Sequence, residues 1–343
     1  MEYTSRQSTR RCAVLTRCGL ARPVTDDEIK FRLGDLAGQA LNYSTRRTIV
    51  AYEYDEHCNR SSFGAPGMTM EHPQQGRALY LPVGVRDQPE SNGAFFFHFN
   101  RPVGEKRIGL VHSKFWTEEL LRARAHSSDV HLPWRDRRHV AVFRGAPSGG
   151  LNAFQRKMGA TKVERRDFVR QFNGSELINA SMISLKNFDR DALQCFRFQI
   201  YLEGNDMGTS LWWVFGSGSV VFMPEILTSE SLWSYHMKPW KHYVPFRTDL
   251  TNLEELLRWA NRSPEKMEEI ASNARKLHET VYNEARERYI MHRMIQHLRP
   301  ADVRMPVDVA QYPILAGIDK PMPRPRDHAR MTRLKHWALC QKM

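Results

Sequence analysis

The chain has 343 residues, 41% hydrophobic, 26% charged and 10% aromatic, which is core material for two domains of roughly 150 residues each and excludes a wholly disordered chain. No apolar run approaches the ~20 residues needed to cross a bilayer, which excludes a membrane-spanning helix. The net charge of +13 gathers at the ends, +4 over residues 1–23 (five Arg against Glu2) and +6 over 320–343 (seven Lys and Arg against Asp327); the body lacks the basic stripe of a nucleic-acid enzyme, so nucleic acid is not expected as the main partner.

In chain order, residues 1–46 form a basic, weakly patterned N-terminal segment without an apolar leader, so the chain is expected in the cytoplasm, or in the Golgi or ER lumen if it is a fragment. Residues 55–79 are rich in Gly, Pro, Ser and Gln and read as loop. Short apolar or aromatic runs at 47–54, 80–85, 94–99 and 107–112 predict strands, and 116–126 predicts a helix between strands. Residues 47–130 are therefore expected to form a first α/β domain. Pro133 and the charges around it mark a junction. Beyond it, strands are predicted at 139–145, 196–205 (Phe198, Ile200 and Leu202 facing inward), 219–223 and 242–246, with helices between them. Thr251 with Glu254 predicts a capping box, and Ser263 before Pro264 predicts the start of a long helix. Residues 299–343 carry six prolines and read as an extended basic tail. Strands alternating with helices in both halves predict two doubly wound domains, with ligand in the cleft beyond the strand ends.

Two turns in the second half carry residues suited to an anion. After the strand 139–145 comes Arg144-Gly145-Ala146-Pro147-Ser148-Gly149-Gly150: small residues let backbone N–H groups approach a phosphate, Ser148 offers a hydroxyl and Arg144 a charge. Neither GxGxxG nor a Walker lysine is present. After Leu202 comes Glu203-Gly204-Asn205-Asp206, then Thr209 and Ser210 in the first turn of an expected helix, where exposed N–H groups favour a diphosphate. Each turn alone reads equally as an ordinary glycine turn or helix cap; the pair together points to phosphate. In the first half, Asp87 ends a predicted strand and could accept a proton from an attacking hydroxyl, or serve only as a turn residue before Pro89. Glu230 is the candidate for gripping ribose hydroxyls. Asp189 and Asp191 form a DxD triplet away from any predicted strand end and read as surface charge. The fourteen His form no HExxH, so no metal site is expected. The five Cys (Cys12, Cys18, Cys58, Cys195, Cys340) form no CxxC and read as reduced or buried thiols.

The order PW…FRG…EGN…GSVV…PWKHYVP…DL..LEE, from Pro133 through the 251–260 region, resembles glycosyltransferase family 90, which includes protein O-glucosyltransferases and capsule-associated xylosyltransferases. The resemblance covers about 131–298 and is weaker over 80–130. It implies a GT-B arrangement of two Rossmann-like domains, an acceptor domain over 47–130 and a UDP-sugar domain over 131–298. It also implies a metal-independent, inverting transfer of glucose or xylose from a UDP-sugar to a hydroxyl of a glycan or protein, with no cofactor. It maps donor binding onto Arg144, Gly145 and Ser148 and onto Glu203, Gly204, Asn205, Thr209 and Ser210, and the catalytic base onto Asp87. Many members carry Arg where this chain has Ser210, which leaves a second expectation open: a non-catalytic nucleotide-sugar or glycan-binding module of the same fold.

Overall fold

A computed structural model describes residues 24–35, 71–72, 77–78, 96–110, 132–183, 190–207, 210–281, 290 and 293–294. The strands expected at 47–54 and 80–85, the helix at 116–126, the tail over 299–343, Asp87, Asp189 and Thr209 lie outside these residues. Among the described residues no helix is long and apolar enough to cross a membrane.

The first half contributes α1 (Asp26–Leu33), a small antiparallel pair β1 (Glu71–His72) and β2 (Arg77–Ala78), and a parallel pair β3 (Phe96–His98) and β5 (Ile108–Leu110). Helix α1 lies inside the segment that the sequence pattern leaves featureless. Thr25 caps it, its hydroxyl accepting from the Glu28 N–H, and three acids fill its first turn, where they suit the helix dipole. Its Ile29 and Leu33 are fully buried. Buried Glu28 meets His236 of the second half at 3.0 Å. Gly34 ends the helix with φ +59, and the next amide, Asp35, donates to the Lys106 carbonyl at 2.8 Å.

The second half is built on five parallel strands: β6 (Arg138–Gly145), β7 (Ile178–Met182), β8 (Phe196–Ile200), β9 (Val220–Pro224) and β11 (Val244–Phe246), in the order β11-β9-β8-β6-β7. β8 is buried at every residue, including Gln199, where the sequence pattern suggested one inward face, and β9 is buried throughout, as its continuous apolar run suggests. Central strands of a parallel sheet are covered on both sides and do not alternate. Val221 and Met223 point into one core with Leu211, Phe215 and Trp233, while Val220 and Phe222 point into the other with Phe168, Phe198 and Leu257. α3 (Arg165–Gln171) and α6 (Leu253–Arg262) cover the second face, and α5 (Ser210–Val214) the first. The 18-residue α7 (Pro264–Val281) reaches both, with Met267 and Ile270 in one core and Leu277 and Val281 in the other.

β7 (INASM) escapes a reading by apolar pattern because it is an edge strand, only part-buried beyond Ile178. β4 (Asn100–Pro102) and β10 (Ser229–Ser231) are also too polar to stand out, yet they pair antiparallel, Arg101 opposite Glu230, and join the two halves. The expected capping box at Thr251 does not form. The Thr251 hydroxyl bonds Asp249 at 2.6 Å, Asn252 takes the cap position, and its carboxamide oxygen accepts from Arg247 N instead. The Asp249 carboxylate accepts from both the Thr251 N–H and its hydroxyl, an Asx turn that competes with the cap, and Leu250 between them sits at φ 65. Cys195 is buried and disulfide-bonded, a correction to the reading of all five cysteines as thiols.

Candidate functional site

In a doubly wound sheet the chain leaves successive strands toward opposite sides wherever the strand order reverses, and the two departing loops open a crevice. Here β6 is followed in the chain by β7 on one side and then by β8 on the other. The reversal therefore lies between β6 and β8, and the loops leaving their carboxyl ends are those starting at Gly145 and Tyr201. Strand order brings together the two turns that the sequence singled out.

The loops touch. Gly149 N–H donates to the Asn205 side-chain oxygen at 3.1 Å. A Cβ added to Gly204 would touch the Ser148 hydroxyl at 3.4 Å and press on an Arg165 nitrogen at 3.2 Å, so the two loops approach closely here. Behind the loops is a shallow hollow lined by Arg144, Arg165, Gln199, Ser210 and Trp213 together with apolar residues of β6, β8 and α5. Arg144 and Ser210, predicted on separate turns, thus share one hollow.

Arg144 is half-buried. It donates to the Phe143 and Asn179 carbonyls and to the Asn179 side chain at 2.7–2.8 Å. Burial pulls its guanidinium below the ordinary value, and no carboxylate is among its partners. Gly145 closes β6, where the Phe143 ring lies against its Cα; a Cβ there would come within 2.8 Å of that ring. Asn152 and Gln155 then form a full capping box at α2 (Ala153–Lys157), and the Gln155 carboxamide reaches on to Thr228 and Ser229.

Two cations that the sequence reading did not single out complete the site. Arg165 opens α3 and is 8% exposed. It donates to the Ala146 carbonyl and the Ser148 hydroxyl at 3.2 Å and to the Leu202 carbonyl at 2.8 Å, so one guanidinium ties both loops. Burial lowers its pKa, opposed by Tyr201, Asp206 and Glu203. Lys162 does the same from above, donating to the Gly150 carbonyl at 3.0 Å and to the Gly204 carbonyl at 2.8 Å. Burial lowers its pKa too, against the pull of Glu203 and Glu164. In sequence both sit in Lys-Val-Glu-Arg-Arg-Asp, a mixed-charge run indistinguishable from a solvated helix start.

Two expected ligands have other engagements. Glu203 is 3% exposed, and its carboxylate accepts from Thr228 N at 2.8 Å, the Thr228 hydroxyl at 3.0 Å and Ser229 N at 2.9 Å. Burial raises its pKa, with those donors opposing. It fastens the start of β10 to the end of β8 and does not line the hollow. Glu230 gives its carboxylate to Arg101 (2.8 Å) and Lys106 (3.1 Å), across the joint between the halves, where the sequence suggested a ribose grip. Thr209 and Asp87 are outside the described residues. Among those residues no group of three or more His, Cys, Asp or Glu could hold a metal ion.

The chain is similar to known proteins over part of its length. The chain is 28% identical over 152 residues to O-glucosyltransferase LpsA of Dichelobacter nodosus, covering 42% of this chain and 44% of that one. It is 28% identical over 176 residues to uncharacterized protein 027R of Frog virus 3, covering 43% and 18%. With protein O-glucosyltransferase 2 of Danio rerio it shares 33% identity over 76 residues, 22% and 15% of the two chains. The chain thus spans less than half the length of each of these relatives. Among solved structures, Anabaena Alr3699/HepE in complex with UDP aligns with a TM-score of 0.31 and 8% identity over 54% of this chain and 53% of that one. The model of the family described as glycosyl transferase family 90 matches residues 109–299, which is more than half of the chain and takes in the whole parallel sheet and both loops, and the chain belongs to that family.

Proposed function

We propose that this protein is an inverting, metal-independent glycosyltransferase that moves glucose or xylose from a UDP-sugar to a hydroxyl of a glycan or protein. The observation that carries the reading is the meeting of two glycine-bearing loops at the switch point of the sheet, with Arg144, Lys162 and Arg165 around them. A nucleoside diphosphate brings two or more negative charges, and this junction offers three cations, part-sheltered from water, none of them hydrogen-bonded to a carboxylate although Glu164, Glu203 and Asp206 lie within electrostatic reach.

In this reading the residues from 131 to 298 hold the donor and the earlier half, 47–130, holds the acceptor, as in a GT-B enzyme. Asp87 takes the proton of the acceptor hydroxyl, a role expected to supply roughly a hundred- to ten-thousand-fold. The oxygen attacks the anomeric carbon from the face opposite UDP. The bond from that carbon to the diphosphate oxygen breaks and UDP leaves with the electron pair. Arg144 and its neighbours stabilise the charge that grows on the leaving group, the part a metal ion plays in other transferases.

The test is a panel of UDP-sugars with glycan and peptide acceptors, scored by released UDP with and without chelator. Turnover that survives chelation supports the reading. Absence of both UDP binding and turnover across the panel overturns it. Donor binding without turnover, the outcome favoured if Ser210 leaves the site short of charge, identifies a nucleotide-sugar-binding module instead.

A further inference from the structure

We infer that Lys162 takes the terminal phosphate of the bound nucleoside diphosphate; this rests on the donor site proposed above and assigns it a residue beyond the two turns. Three cations stand at the loop junction, and all three donate to backbone carbonyls, each guanidinium making three hydrogen bonds in all and Lys162 two. Arg144 spends its terminal nitrogens on Phe143 and on Asn179 of β7. Arg165, 8% exposed, spends its own on Ala146, Ser148 and Leu202, and moving it would release both loops at once.

What sets Lys162 apart is its stem: its ammonium, part-exposed like the Arg144 side chain, rides on a flexible four-carbon chain, whereas a guanidinium fork is rigid. Its hydrogen-bond acceptors are two neutral carbonyls, Gly150 at 3.0 Å and Gly204 at 2.8 Å, one from each loop, so an arriving phosphate displaces no carboxylate. An ammonium has three N–H groups and these bonds use two. The space beside it is open: a Cβ on Gly150 would meet nothing within 4 Å. Ser210, in the hollow behind the loops, brings a hydroxyl and no charge. The compact, mobile charge available to the outer phosphate is therefore Lys162.

The experiment is calorimetric titration of the full chain and of Lys162→Met with UDP and with UMP, which lacks that phosphate. Lys162→Met should weaken UDP about 10- to 100-fold and UMP less than ~3-fold, as for loss of one hydrogen bond to a charged group. Equal UDP affinity in variant and parent overturns the assignment and leaves the donor site standing. Equal weakening of UDP and UMP also overturns it, because Lys162 would then only hold the loops together. Failure of the parent to bind UDP at all removes the donor site and the assignment with it. Should the Met variant not fold, amine-reactive labelling of the parent decides: UDP, and not UMP, should shield Lys162, and equal labelling in both refutes the assignment.

Discussion

Replacing Glu203 by Gln changes one atom of a buried side chain, and the structure sets the cost. One carboxylate oxygen accepts from Thr228 N at 2.8 Å and its hydroxyl at 3.0 Å; the other accepts from Ser229 N at 2.9 Å. An amide supplies one acceptor and one donor, so in either orientation its NH2 faces a backbone N–H. A buried N–H left without an acceptor costs about 1–3 kcal/mol, and the surviving bonds lose their charge assistance. Glu203→Gln should therefore destabilise by about 2–4 kcal/mol, roughly 5–15 °C in melting temperature for a domain of this size. UDP affinity should fall as well, since Glu203 adjoins Gly204 and the loop that receives Lys162. Thermal unfolding followed by circular dichroism, with and without UDP, gives both readouts. A double-mutant cycle with Thr228→Val should show coupling between the two positions. A variant that melts within ~1 °C of the parent would mean that the three donors find other acceptors and that Glu203 is not the clamp of this loop.

Arg144→Ala should weaken UDP by about tenfold or more through loss of a charge at the hollow; an unchanged dissociation constant refutes a phosphate role. Asp87→Asn should reduce transfer by at least about a hundred-fold while UDP still binds, and full turnover in that variant would place the base elsewhere. Glu230→Gln leaves Arg101, which is 0% exposed, without a carboxylate. It should cost about 3 kcal/mol, seen as a lower urea midpoint, and a midpoint equal to the parent's would show that the β4–β10 joint does not depend on this pair. Gly34→Ala forces a side chain onto a left-handed φ of +59 and against the Lys106 carbonyl. Hydrogen exchange over residues 26–33 should then speed up as α1 lifts from the 105–107 turn, and unchanged protection would show that the chain absorbs the strain locally.

The amino-acid sequence determined which segments could be central strands and which turns could face an anion. Continuous apolar runs such as Val220–Met223 can only lie between two covering layers, and turns of small residues can only follow them. It also determined the family, because the FRG and EGN turns recur in a fixed order with the aromatic segment 239–246. Pairing of remote segments it left open. That β6 and β8 are neighbours with β7 outside them is a matter of strand order, and it alone turns two separate loops into one junction. The same packing engages Glu203 and Glu230 within the fold, because a buried carboxylate bonds whatever donors the fold brings near, and here these were Thr228, Ser229, Arg101 and Lys106. It also brought in Lys162 and Arg165, whose mixed-charge surroundings look solvated in sequence. A charge's role depends on which carbonyls and carboxylates lie within about 3 Å, and that distance is a property of the folded chain alone.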